Sequence, residues 1–258
     1  MTPSPAPQTS YVSAHPRGRI AIILLVIGAV CSALIIVAEI GQIAFSNFSE
    51  GQEVADNPGG FVALLSYAAL TLLGIVIFIV TAIVFLMWLH RSSTNLTSFG
   101  HWRSQGYSPA WSVGSFFVPI ANLFVPYQAT KYVWQKSRPP TSEPFSFSNS
   151  PPGFFPAWWG FWLASNFVTN IHFRLSGQQE APRTATAIIG IVSEALSIAA
   201  AGFAIEVIKD IDRRQEETLQ HLTPTSHFPV PPPPPVFDSI GEQSSQSQTS
   251  PIEESRGS

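Results

Sequence analysis

Charge is scarce in this chain. Charged residues fill 11% of its 258 positions, against about a quarter in an ordinary soluble domain. The shortfall lies in long uncharged runs, which excludes a purely soluble class and points to an integral membrane protein. Net charge is −3, from 13 lysines and arginines against 16 acids, so there is no electrostatic case for binding nucleic acid. Cysteine is almost missing. Cys31 stands alone, and no intramolecular disulfide can form. The six histidines include no pair at the i, i+4 spacing of a helical zinc site. No metal or cofactor site is read. Serine nucleophile elbows, phosphate loops and the zinc-protease motif are also lacking, so the chain is not read as an enzyme. No period of 20–50 residues recurs, which excludes a solenoid.

What the sequence does have is apolar length. Residues 20–38 carry no charge, and as a helix they cover about 28 Å, close to the ~30 Å hydrocarbon core. This run is too long for the apolar core of a cleaved signal peptide. We read a retained helix over about 20–44, with Glu39 as a solvated helix-end carboxylate. Further spans are read over 61–89, 154–173 and 185–208. The segment 46–60 is polar and acidic, 92–107 reads as a polar connector, and 209–220 as a charged continuation of the last helix. Residues 1–17 and 218–258 read as disordered tails. The second of these contains a proline run at 231–235 with polyproline II character, suited to an aromatic groove on a cytoplasmic partner.

Residues 108–135 are apolar and aromatic but broken by Pro119 and Pro126, with Asn122 between them. Ser108 and Pro109 form a helix-start signal, a cap followed by a proline at the first helical position. Each later proline removes an amide donor and frees a carbonyl. Freed carbonyls are tolerated at membrane depth only against protein or water. The side-chain amide of Asn122 offers donors where such a carbonyl lies.

Cations decide how this stretch is read, because lysine and arginine favour the cytoplasmic side. If it crosses the bilayer, five spans divide the cations six to seven. If it dips in and returns, or lies along the interface, four spans divide them eleven to two, with only Arg174 and Arg183 outside. We read an all-α membrane protein with four transmembrane helices and a proline-broken re-entrant or interfacial hairpin. Both termini are then on the cytoplasmic side of the cell membrane.

The residues Ser108-Pro109-x-Trp111, Phe117-Val118-Pro119-Ile120-x-Asn122-Leu123, Pro126-Tyr127-Gln128 and Trp134 resemble the signature of a bacterial membrane family, domain of unknown function 4328. Trp88 to Arg91 and the tryptophan-rich pattern from Trp158 to Asn166 fit it as well. One departure is the connector, which usually holds several arginines in this family and here holds only Arg103. The resemblance implies a multi-pass membrane protein and brings no activity.

Glu194 is the most informative single residue. It lies nine residues into its run, about 14 Å along the helix and near mid-bilayer, where an ionised carboxylate is expensive. Asn166 and Asn170, on the antiparallel third span, fall within reach of its depth. The three form a candidate intramembrane polar site. It reads first as a polar clasp between helices, and alternatively as a proton- or cation-binding site. The preferred function is a structural or regulatory membrane module, embedded in lipid, whose tails recruit partners. The alternative is a small-solute or ion transporter using Glu194 and the broken hairpin. Ligand and oligomeric state have no signature in this sequence.

Overall fold

A computed structural model describes residues 10–48, 58–99, 106–138, 150–178 and 182–222. The described residues form six α-helices: α1 (His15–Phe48), α2 (Pro58–Ser98), α3 (Pro109–Gly114), α4 (Val125–Lys136), α5 (Phe154–Ser176) and α6 (Arg183–Leu222). There is no strand among the described residues. The proline run at 231–235 and its expected disorder lie outside them.

Among the described residues three helices, α1, α2 and α6, carry stretches long and apolar enough to cross a membrane. Helix α5 has 23 residues, about 34 Å, but Ser165, Asn166, Thr169, Asn170 and His172 dilute its hydropathy. Side by side, the order is α2, α1, α6, α5, with α1 and α5 both packed along α6. The outward faces are apolar and uncovered. Val37, Val62, Leu72, Phe78 and Phe167 are all exposed, as lipid-facing side chains are.

Two segments differ from the sequence reading. The polar connector begins later than expected, because α2 runs on through Ser98. No glycine or proline interrupts it after Gly74. Thr94 and Thr97 return their hydroxyls to the carbonyls of His90 and Thr94. Ser92, Ser93 and Asn95 are buried against neighbouring elements, so this polar turn is a packed face and not a loop. At the other end of the chain, α1 starts at His15, inside the segment read as a tail. Tyr11 stacks on Phe99 with ring centroids 5.7 Å apart, and Ala14 is buried.

The core sits at one end of the bundle, called here the inner end. It is built from the start of α1, the last third of α2, α4, the start of α5 and the second half of α6. Trp88, Leu89, Val133, Phe155, Val207, Ile208 and Ile211 are fully buried there. Aromatic rings knit it together. Phe85 meets Trp88 at 5.3 Å and Trp158 at 5.8 Å, and Trp134 meets Phe155 edge-on at 5.6 Å. Such pairs add about 0.5–1.5 kcal/mol each beyond the area they bury.

The proline-broken stretch lies wholly at this end. Ser108 caps α3 by accepting from the amide of Trp111 at 3.1 Å, with Pro109 at the first helical position. The chain then passes through two 3-10 turns, Ser115–Phe117 and Ala121–Leu123, with Pro119 between them. Pro126 falls in the first turn of α4, where its missing amide leaves no gap. The stretch returns to its starting point: the Tyr107 hydroxyl donates to Gln128 Oε1 at 2.5 Å.

Candidate functional site: polar groups inside an apolar bundle

Each of the four long helices contributes a polar side chain to one cluster at the outer half of the bundle. From α1 comes Glu39, only 4% exposed. It was expected to be solvated at a helix end, but α1 continues nine residues beyond it and turns it inward. From α2 the Tyr67 hydroxyl donates to Glu39 Oε1 at 2.6 Å. From α6 comes Glu194, half-buried, hydrogen-bonded by Ser32 of α1 and facing both His172 and Glu39. From α5 comes His172, also half-buried.

Gly190 explains how these groups meet. A Cβ there would lie 2.5 Å from His172 Cε1, 2.8 Å from Nδ1 and 3.0 Å from Glu39 Oε1. The imidazole and the carboxylate therefore flank the point a side chain would occupy. One turn away, the hydroxyls of Thr169 and Ser193 share a hydrogen bond of 2.6 Å between α5 and α6.

The residues expected beside Glu194 are elsewhere. Asn166 is exposed and donates to the Trp162 carbonyl of its own helix at 2.7 Å. Asn170, also exposed, accepts from Arg174 Nε at 3.1 Å. Depth alone predicted both as partners, but a helix turns about 100° per residue, and that rotation points them outward. Tyr67, His172 and Gly190 went unread as partners. The available signal was spacing: Ser32 and Glu39 are seven apart, and Gly190 and Glu194 four apart, so each pair shares a helix face.

A second polar assembly closes the inner end. Trp88 Nε1 donates to Asp212 Oδ1 at 2.8 Å, and His15 Nδ1 lies 3.6 Å from both Asp212 and Glu216. Trp134 Nε1 donates to Asp210 Oδ2 at 2.6 Å. Asp210 also pairs with Arg213 and, at 3.0 Å, with Arg214. The Arg214 guanidinium lies 4.0 Å from the Trp134 ring centre, a cation–π contact. Gln215 is fully buried. Its Nε2 donates to the Ser92 carbonyl at 2.9 Å and to Ser137 Oγ at 3.1 Å, while its Oε1 accepts from Asn95 at 3.1 Å. Thr218 donates to the Ser137 carbonyl at 2.9 Å. Together, α6 is fastened to α1, α2 and α4.

Of the motif residues of the broken stretch, Trp134 enters this inner assembly through Asp210 and Arg214. Pro126 and Trp134 are buried, Tyr127 packs on the core, and Trp111 is 45% exposed. The side-chain Oδ1 of Asn122 is buried without a hydrogen-bond partner. The carbonyl of Leu123 is served by Trp159 Nε1 at 3.0 Å. At the tip, Phe117 and Ile120 are 74% and 79% exposed. An open groove of about 550 Å³ runs along α4, lined in part by Tyr107, Tyr127, Lys131 and Trp159. The stretch touches α2 at Phe85, whereas the outer cluster touches α2 at Tyr67. Eighteen residues separate the two, roughly 27 Å of helix, so Glu194 and the broken stretch do not form one site.

Long apolar helices around buried polar groups define a multi-pass helical membrane protein. The chain belongs to the family described as Domain of unknown function (DUF4328), whose family model matches residues 61–213. Helix α1, and with it Glu39, precedes the match. No curated protein and no solved structure matches the chain.

Proposed function

We propose that this protein is a structural or regulatory module of the cell membrane, without enzymatic activity, whose cytoplasmic tails recruit partners. In this reading α5 is a fourth span and both termini are cytoplasmic. The stretch from 108 to 135 dips from the inner face as a re-entrant or interfacial hairpin. Its return to Tyr107 and the uncovered Phe117 and Ile120 support that placement, as does the eleven-to-two division of cations.

The observation that carries the regulatory role is the buried fastening of α6. Asp210, Asp212, Gln215 and Thr218 tie it to the other helices within about three turns of Leu222. A partner held by the residues that follow would therefore act on the packing of the whole inner end. Partner capture that is lost when the chain is cut after Leu222, and altered by Gln215→Leu, supports the role. Capture indifferent to both changes overturns it. Topology is tested by single cysteines at Ser142 and Gly177, expected to label from opposite faces of intact cells.

A second reading, a small-solute or ion transporter using Glu194, is favoured by the outer cluster. The broken stretch would serve it only at the opposite end of the bundle. Flux in liposomes that Glu194→Gln abolishes is the test.

A further inference from the structure

The outer cluster is enclosed by helices whose outward faces are apolar. On its outer side every helix still presents apolar side chains to the surroundings. These are Ile40 on α1, Phe61 and Leu64 on α2, Phe173 on α5 and Ile188 on α6, all exposed. On its inner side the apolar faces continue for several turns. Glu39, the deepest of the three acids and bases, is 4% exposed and held by the Tyr67 hydroxyl, and unbalanced charge among groups buried in this way is strongly disfavoured.

Charge balance then fixes a proton count. Two carboxylates and one imidazole are neutral together only when they hold two protons. Either both carboxyls are neutral acids beside a neutral imidazole, or one is a neutral acid and the other pairs with imidazolium. In both cases at least one carboxyl carries a proton. The surrounding groups suit a proton better than a metal cation. Tyr67 and Ser32 turn hydroxyl donors toward the carboxylates, and the described residues contain no group of acids and histidines able to hold a metal ion.

We propose that Glu39, His172 and Glu194, with Tyr67 as donor, form a proton-binding site buried between the four long helices. His172 is the route to solution. It is half-buried and four residues from the end of α5 at Ser176, while Glu39 behind it is buried. The site is the one the transport reading uses, but no solute need cross the membrane for the proton to bind.

Infrared difference spectroscopy on the full chain in lipid nanodiscs tests this directly. The expected result is a protonated-carboxyl C=O band persisting at about pH 7, where ordinary carboxyls near pH 4 are ionised. The band is lost or halved in Glu39→Gln or Glu194→Gln. Tyr67→Phe, which keeps the ring and removes the hydroxyl, shifts its frequency, and His172→Gln slows its exchange with deuterium. A wild-type spectrum without the band at about pH 7 overturns the proposal, as does a band unchanged in both glutamine variants. If those variants do not fold, an unmoved frequency in Tyr67→Phe with unchanged exchange in His172→Gln overturns it. Liposomes with the band intact and no proton-coupled flux remove the transport reading alone.

Discussion

Replacing Gln215 with leucine separates a structural fastening from mere burial. The side chain is 1% exposed and makes three hydrogen bonds, to Ser92, Asn95 and Ser137. Leucine fills a similar volume and makes none of them. Each bond contributes about 0.5–1.5 kcal/mol net. The Asn95 side chain already has its Oδ1 buried without a partner, so losing Gln215 strands the whole amide, at about 1–3 kcal/mol. Allowing for overlap between these two figures, Gln215→Leu should destabilise the bundle by about 3–5 kcal/mol, a large share of a typical ~5–15 kcal/mol. Reversible unfolding in mixed detergent micelles measures it. Asn95→Ala removes the stranded group. The double variant should therefore lose about 1–3 kcal/mol less than the two single changes added together. A single-variant loss below about 1 kcal/mol, or strict additivity, would refute the reasoning.

Other outcomes follow from single contacts. Gly190→Ala forces a methyl against His172 and Glu39 and should lower stability by about 1–3 kcal/mol, as overpacking does, visible as a drop in melting temperature. Trp134→Phe keeps the contact with Phe155 but loses the Asp210 bond and much of the face under Arg214, an expected loss of about 2 kcal/mol by the same assay. Phe117→Ser with Ile120→Ser should leave the fold intact, since both side chains are exposed. A fluorophore at Val118 should then lose its quenching by lipid-borne quenchers if the hairpin tip sits in the bilayer, and unchanged quenching would remove that placement.

By itself the sequence determined the class and the outline. Helices read at 20–44, 61–89 and 185–208 fall within α1, α2 and α6, because an uncharged run of that length has few alternatives to a helix in lipid. The cap at Ser108 and Pro109 was legible for a similarly local reason: a proline and a hydroxyl at a helix start act on their own turn. The family was legible in the tryptophans, prolines and asparagine around residue 119. Only the tertiary structure decided the partners. Glu194 was visible as an anomaly, but whether it met Asn166 or Glu39 depended on how each helix is rotated about its axis. Depth along the chain is additive from residue to residue, while rotation is set by packing against neighbours. The same holds for Ser92, Asn95 and Gln215. They look like solvated loop and surface residues in one dimension and become a buried fastening once α2, α4 and α6 converge, since a polar group can be buried when another element brings it a hydrogen-bond partner.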